Sequence, residues 1–197
     1  MAANILIKEF IKDFEVGAIA PTSNNLAKKV IEKLTFEKEA IIIEYGPGDG
    51  VITKMLLDKM TTNSVLYVFE TNKTFIKKLI EIKDNRLIII NDNASKARLV
   101  LKNCYNVEKV DYIISTIPFS FIKKNKRRRI ISVSYKILKE QGKFITYQYS
   151  FFIFHLLKTK FKNVNWEFIL LNIPPAFIIN GIKMNTQNKL SDQVCKN

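Results

Sequence analysis

A glycine-rich turn with carboxylates beside it offers the clearest chemistry in this sequence. The isoleucines at 41–43 form a short apolar run, and Gly46, Gly48 and Gly50 follow it closely. Residues 51–59 then continue with helical spacing. Glycines in such a strand–turn–helix unit let the backbone approach a nucleotide ligand closely. The pattern therefore predicts a nucleotide-cofactor site, with a ligand-free strand–helix turn as the alternative.

The charges in this turn indicate which cofactor it would bind. A dinucleotide fingerprint has its third glycine one residue later, and its bare N–H groups hold a pyrophosphate. Here Glu44 and Asp49 place negative charge in or beside the turn, which disfavours an anionic phosphate and favours a cation. S-adenosylmethionine carries a sulfonium and an ammonium and no phosphate, so it is the cofactor that fits.

Two further acidic residues follow the next apolar runs. Glu70 lies 20 residues beyond Gly50, where a carboxylate can accept hydrogen bonds from both hydroxyls of a ribose. Asp92, with Asn93 and Ala94 after it, can accept a hydrogen bond from an adenine amino group. The alternatives are a surface carboxylate at Glu70 and a helix N-cap at Asp92.

Candidate acceptor-binding residues follow the fourth apolar run, at residues 115–119 (Ser-Thr-Ile-Pro-Phe). Ligands of open α/β sheets bind at such a position. Thr116 and the carbonyl groups around Pro118 can orient an acceptor amine. Phe119 can pack against the transferred methyl group or stack on a cation. Tyr147 can line the same pocket. The alternatives are a proline-containing turn and, for the tyrosine, ordinary packing.

Strand-like and helix-like stretches alternate along the chain that positions these residues. Candidate strands cover residues 40–45, 65–70, 87–91, 111–116, 143–149 and 166–173, and a last one follows two prolines near residue 176. Candidate helices cover residues 51–60, 72–83, 94–103, 125–139 and 151–161. The first four strands are nearly continuous β-branched runs, as buried parallel strands are. This alternation predicts a three-layer α/β sandwich whose last strand is antiparallel.

The charge of the chain predicts an anionic partner. The formal net charge is +14 and the pI is about 9.7, which favours nucleic acid or an anionic membrane surface. Six of the seven residues at 123–129 are basic, among them Arg127, Arg128 and Arg129. A solvated helix face is the usual explanation of such a run. Its place directly after the acceptor motif favours contact with phosphate.

Apolar content and cysteine usage indicate how the chain is organised. With 47% hydrophobic residues among 197, we expect one domain over 1–184, amphipathic helices within 1–35, and a flexible tail over 185–197. No apolar run is long enough to span a bilayer, and the first ten residues lack the order of a signal peptide. Cys104 and Cys195 match no metal spacing, so we expect no metal site and a reducing cytoplasm.

Together these motifs resemble those of class I S-adenosylmethionine-dependent methyltransferases. More narrowly, the chain resembles the bacterial phospholipid N-methyltransferases, relatives of the ribosomal RNA adenine dimethyltransferases. The matching segments are residues 10–13, 16–23, 44–53, 70–72, 117–119, 138–144 and 172–176. The Val-Gly-Ala-Ile-Ala-Pro stretch from residue 16 and the Asn-Ile-Pro-Pro-Ala stretch from residue 172 are the more specific signals.

The resemblance implies a Rossmann-like methyltransferase fold with a mostly parallel seven-stranded sheet and an antiparallel last strand. It implies that the loop at 44–50, Glu70 and the turn at 92–94 bind S-adenosylmethionine. It also implies that an amphipathic helix near residues 5–14 lies on the membrane and covers the cofactor site. Packing of that helix on the domain is the alternative.

Departures from the family pattern bear on the acceptor. Thr116 stands where RNA adenine dimethyltransferases carry an asparagine, and a threonine cannot offer the same paired donor and acceptor to a flat exocyclic amine. We also expect no counterpart of the extra C-terminal domain that those enzymes use on RNA. Both points favour a lipid acceptor. Glu140 and Gln141 replace the usual Pro-Gly before the fifth strand, and Asp49 replaces Thr or Ser, which leaves activity to be tested.

The sequence therefore predicts an S-adenosylmethionine-dependent N-methyltransferase that acts on the amine of phosphatidylethanolamine. The expected location is cytoplasmic, at the inner face of the membrane, with Arg127, Arg128 and Arg129 near anionic headgroups. An RNA adenine N-methyltransferase is the first alternative, since the charge permits RNA binding equally. A membrane-surface protein without turnover is the second.

Overall fold

Helices and strands alternate in the computed structural model, which describes residues 23–170, 172 and 174–185. The helices are α1 (Asn24–Ile31), α2 (Val51–Lys59), α3 (Lys73–Ile80), α4 (Ala97–Tyr105), α5 (Lys124–Ile137) and α6 (Phe152–Lys158). The strands are β1 (Ile41–Tyr45), β2 (Val65–Phe69), β3 (Leu87–Ile90), β4 (Val110–Ser115), β5 (Leu138–Gln148), β6 (Asn163–Ile169) and β7 (Ala176–Ile182). Short 3₁₀ turns occupy Ala94–Lys96 and Phe119–Phe121.

All seven strands join one sheet in the order β3-β2-β1-β4-β5-β7-β6. The first five strands pair in parallel, whereas β7 lies between β5 and β6 and is antiparallel to both. This arrangement confirms the predicted α/β fold with its reversed last strand. The strand order reverses between β1 and β4, which is where open sheets of this type bind ligands.

The register brings the predicted site residues to one edge of the sheet. Tyr45 of β1 is level with Phe69 of β2 and with Ser115 of β4. Because parallel strands end at the same edge, the residues that follow these three meet there. The chain thus places the glycine turn, Glu70 and Thr116 side by side.

Apolar side chains fill both sides of the sheet. Ile43 and Phe144 belong to the core under α4, α5 and α6, and Ile42 and Ile145 belong to the core under α1 and α2. Successive strand residues point to opposite faces, so a strand covered on both sides needs apolar residues at every position. This explains the unbroken isoleucine run at 41–43.

Some boundaries differ from those predicted. The strand β5 begins at Leu138, five residues before the predicted start. The helix predicted from residue 94 begins as a 3₁₀ turn and becomes α-helical at Ala97. Within the described residues, no helix combines the length and apolar character needed to cross a bilayer. The helix expected near 5–14 and the tail beyond 185 lie outside the described residues.

Candidate functional site

A cavity of about 540 Å³ opens at the edge of the sheet where β1, β2 and β4 end. Eight of the predicted site residues line it. They are Gly46, Gly48, Glu70, Asp92, Asn93, Ala94, Thr116 and Pro118. The rest of the lining is largely apolar and was not predicted as such: Phe69, Thr71, Asn72, Phe75, Ile117, Phe121, Ile122, Lys126 and Ile130.

The glycine turn forms the floor of the cavity between β1 and α2. Gly46, Gly48 and Gly50 have φ values of 70°, 59° and 85°, in the left-handed region that other residues rarely adopt. A Cβ at Gly46 would lie 3.1 Å from the side chain of Ile117, whereas one at Gly48 would meet nothing within 4 Å. The backbone at Gly48 therefore borders open space, as a cofactor-binding turn requires.

Gly50 has a packing role in this turn. It is the N-cap of α2 and does not belong to the cavity lining. A Cβ there would lie 3.2 Å from both Leu79 and Ile82. The third glycine thus lets α2 start close to the end of α3.

Glu70 is 7% exposed and has one oxygen bound and one available. Its Oε1 accepts hydrogen bonds from the backbone N–H groups of Thr71 (2.6 Å) and Asn72 (2.8 Å). Its Oε2 has a long contact of 3.4 Å to the N–H of Gly48. A fixed carboxylate with spare acceptor capacity beside an open glycine turn fits the ribose hydroxyls of S-adenosylmethionine.

Asp92 stands at the far wall of the cavity. The backbone N–H of Asn93 (2.6 Å) and the ammonium of Lys96 hold the pKa of this carboxyl below its usual range. The capping role falls to Asn93, whose side chain accepts a hydrogen bond from the N–H of Ser95 (3.0 Å). Asp92 therefore stays ionised and can accept a hydrogen bond from an amino group.

Glu44, predicted to bring negative charge to the turn, is fully buried beneath it and does not belong to the cavity lining. Burial raises its pKa to about 8, although the Thr53 hydroxyl donates to Oε2 at 2.6 Å. Its Oε1 has no partner among the described residues. Glu44 is therefore mostly neutral at pH 7, and it supplies negative charge only when a nearby cation lowers its pKa.

The segment after β4, where the sequence predicts acceptor binding, lines one end of the cavity, which we call the acceptor end. The hydroxyl of Thr116 donates to the carbonyl of Gly46, and the carbonyl of Tyr45 lies 3.3 Å from it. Gln148 is buried and holds the same segment from β5: its Nε2 donates to the Ile117 carbonyl (2.8 Å) and its Oε1 accepts from the Phe119 N–H (3.2 Å). Sequence reasoning missed Gln148, although an amide inside a buried strand is a signal for such a role.

Two predicted aromatic residues lie in the core. Phe119 is fully buried in the core under α5, so its ring does not face the cavity. The 3₁₀ turn instead directs Phe121, which is 51% exposed, into the cavity lining. Tyr147 is 4% exposed and packs in the core under α1 and α2. Alternation along the strands sends Tyr147 and Gln148 to opposite faces.

The basic run forms the start of α5. Lys126 lines the cavity, Arg127 lies with its guanidinium 4.2 Å from the centre of the Phe152 ring, and Arg128 and Arg129 are exposed. The structure thus brings one lysine, rather than the three arginines, to the cavity. The described part of the chain has no His, Cys, Asp or Glu cluster suited to a metal ion.

Sequence comparisons connect this geometry with methyltransferases. The profile of the family described as ribosomal RNA adenine dimethylase matches residues 21–140. An ornithine lipid N-methyltransferase of Singulisphaera acidiphila is 23% identical over 174 residues, which cover 85% of this chain and 90% of that protein. Ribosomal RNA small subunit methyltransferase A of Ureaplasma parvum is 26% identical over 122 residues, but the match spans only 43% of its length.

Solved structures share the fold. A Burkholderia thailandensis 1,6-didemethyltoxoflavin-N1-methyltransferase, solved with S-adenosylhomocysteine, superposes with a TM-score of 0.66 at 12% identity, covering 93% of this chain and 89% of that one. The family profile covers more than half of the sequence, and the cavity fits the cofactor. The chain belongs to the ribosomal RNA adenine dimethylase family of S-adenosylmethionine-dependent methyltransferases.

Proposed function

We propose that this chain transfers methyl groups from S-adenosylmethionine to the amine of phosphatidylethanolamine at a membrane surface. The cofactor supplies a methyl group already activated by a sulfonium, so the protein mainly has to align and desolvate the reactants. Glu70 would hold the ribose, Asp92 the adenine amino group, and the open backbone at Gly48 would border the cofactor.

The observation that carries the proposal is the geometry of Thr116. Its hydroxyl already donates to the backbone carbonyl of Gly46 in the glycine turn. A single hydroxyl also lacks the paired donor and acceptor that an asparagine would offer to a flat adenine amine. A small, tetrahedral alkyl amine needs no such pair, and it can be oriented by the hydroxyl oxygen and the carbonyl groups around Pro118.

The rim of the cavity suits a lipid headgroup. Phe121, Ile117 and Ile122 provide an apolar wall, and Lys126 provides the cation among the lining residues. A phosphodiester beside the reacting amine would lie near that ammonium, with Arg128 and Arg129 available to neighbouring anionic headgroups. A relative that aligns over 85% of this chain and 90% of its own length is an ornithine lipid N-methyltransferase, which supports the same acceptor class.

Methylation of RNA adenine is the second candidate, because the family profile and several relatives are named for ribosomal RNA. In the test, purified protein is incubated with labelled S-adenosylmethionine and one of three acceptors: phosphatidylethanolamine vesicles, ornithine-lipid vesicles or ribosomal RNA. We expect label in phosphatidylethanolamine. Label in ornithine lipid alone would mean that ornithine lipid is the substrate in place of phosphatidylethanolamine. Label in RNA without labelled lipid would refute a lipid acceptor. The Glu70→Gln variant should label none of them.

A further inference from the structure

Large apolar side chains are exposed next to the cavity. They are Phe121, Phe152, Trp166, Phe168 and Leu170, each between 41% and 69% exposed, and we call them the aromatic face. Soluble proteins rarely leave so many large apolar side chains together in water unless the patch binds something.

Ring packing joins Trp166 and Phe168 of the aromatic face through the rings of Phe151 and Phe177. The ring of Phe151 stacks on Phe154 (4.6 Å between centroids) and meets Trp166 and Phe177 edge-on (5.2 Å each). Phe168 lies 4.9 Å from Phe177. These rings rest on the sheet and on α6, so the surface is preformed.

The register places the aromatic face at the cavity end of the sheet. Gln148 is level with Phe177, and Phe177 is level with Phe168. Gln148 is the residue that holds the acceptor segment, so these three positions lie along the edge where the cavity opens. Phe121 belongs to both the cavity lining and the aromatic face.

Cations surround the rings. Arg127 lies 4.2 Å above Phe152, and the ammonium of Lys158 lies 4.6 Å above Phe154. Between residues 119 and 170 the sequence has twelve Lys and Arg and two acidic residues, Glu140 and Glu167. Glu167 pairs with Lys33 of the α1 side, and Glu140 lies 3.5 Å from Lys183.

We infer that the protein docks on an anionic lipid bilayer through the aromatic face, with the cavity mouth against the headgroups. Trp and Phe rings with flanking Lys and Arg suit the membrane interface, where rings enter the acyl boundary and cations stay among the headgroups. RNA is less well matched, because Leu170 offers no stacking platform and the Trp166 ring already meets the rings of Phe151 and Phe177 edge-on. The inference rests on the proposed function, since a lipid amine must reach the cavity from the bilayer.

Trp166 is the only tryptophan of the chain and reports on this surface directly. We expect phosphatidylglycerol vesicles to shift its emission to the blue and shield it from aqueous acrylamide, and brominated lipid to quench it. Phosphatidylcholine vesicles should have a much smaller effect. A blue shift with RNA and none with anionic vesicles, or no change with either, would overturn the inference.

A matched pair of variants locates the contact. The double variant Phe168→Ser, Leu170→Ser should weaken binding to anionic vesicles by about tenfold or more, because it removes two apolar side chains from the bilayer. The variant Ile80→Ser, Leu99→Ser removes comparably exposed side chains elsewhere and should bind as wild type. Unchanged cofactor affinity shows that both remain folded. An equal loss of vesicle binding in the two double variants, or no loss of binding in the first, would contradict docking through the aromatic face.

A soluble substrate separates this inference from the proposed function. Dispersed short-chain phosphatidylethanolamine presents the amine without a bilayer. If it is methylated while vesicles are not bound, methyl transfer to phosphatidylethanolamine stands and the docking surface is wrong. If vesicles are bound through the aromatic face and no lipid is methylated, the docking surface stands and the proposed function is wrong.

Discussion

The two ends of the cavity are built in different ways. At the cofactor end, Glu70 accepts hydrogen bonds from the next two backbone N–H groups, and Asp92 accepts one from the next residue. At the acceptor end, the segment after β4 is held by Gln148, which lies on another strand 29 residues beyond Phe119. The carboxylates of the cofactor end are thus held by residues next to them in the sequence, whereas the acceptor end depends on the packing of the sheet.

This difference indicates that cofactor binding and methyl transfer can be separated by mutation. Changes at the cofactor end should weaken both, because transfer needs bound cofactor. Changes at the acceptor end should spare cofactor binding and reduce transfer. The predictions for Glu70 and Gln148 test the two sides of that division.

The largest effect is expected at Glu70. Glu70→Gln keeps one acceptor oxygen for Thr71 and Asn72 but places an amide donor opposite the N–H of Gly48. We expect the affinity for S-adenosylmethionine to fall about 100-fold, as the loss of a charged hydrogen bond and an added unpaired donor imply. Isothermal titration calorimetry measures it, with Glu81→Gln, an exposed carboxylate outside the cavity lining, as the control.

Glu44 gives the cofactor end a pH dependence. Its folded pKa of about 8 lies above its ordinary value of 4.5, so between these values the folded protein holds a proton that the unfolded chain has lost. The contribution of this proton to the unfolding free energy is therefore full below pH 4.5 and is lost as the pH rises through about 8. From pH 6 to 7.5 the wild type should lose about 2 kcal/mol of unfolding free energy relative to Glu44→Gln.

Urea unfolding of both proteins at the two pH values measures this difference. Gln at position 44 can still accept the hydrogen bond from Thr53, so the comparison isolates the proton. Parallel pH profiles for the two proteins would mean that Glu44 is ionised in the folded state. The buried carboxylate would then supply the negative charge that the sequence suggested.

Gln148 tests the acceptor end. Gln148→Leu removes the hydrogen bonds to the backbone of Ile117 and Phe119, which frees the acceptor segment. We expect the rate of methyl transfer to fall about tenfold through poorer alignment, while cofactor affinity stays within about twofold because the cofactor end is local. The control is Asn165→Leu, an exposed amide on β6. A parallel loss of cofactor affinity would show that the two ends are not separable.

The smallest effect concerns the irregular turn within β5 at Gln141, where the pairing with β4 shifts register. Gln141 has a φ of 63°, in the left-handed region where a side chain is strained. Gln141→Gly should raise the unfolding free energy by about 0.5–1 kcal/mol. Gln141→Ala keeps the Cβ and should bring no gain. Equal stability of the three proteins in thermal unfolding would show that the turn is not strained.

The same division explains what could be predicted from the sequence. The glycine turn, Glu70 and Asp92 stand directly after their strands, so the strand pattern was enough to bring them together. Phe119 was expected in the cavity, but a 3₁₀ turn of three residues places Phe121 there. Such a turn has no apolar period to reveal it.

The acceptor end was less predictable because its contacts cross the sheet. Gln148 reaches Ile117 only through the pairing of β4 with β5, which follows from the tertiary structure. The aromatic face likewise combines the 3₁₀ turn at Phe119–Phe121 with α6 and β6. The raised pKa of Glu44 depends on how deeply the turn is buried, and burial depth is a property of the packed fold.

The most direct test of a lipid-amine methyltransferase is the lipid profile of a bacterial host that makes phosphatidylethanolamine but no phosphatidylcholine. Mass spectrometry of its lipids after expression of this chain should show N-methylated phosphatidylethanolamine, and expression of Glu70→Gln should show none. An unchanged lipid profile together with newly methylated adenine in ribosomal RNA would contradict the account.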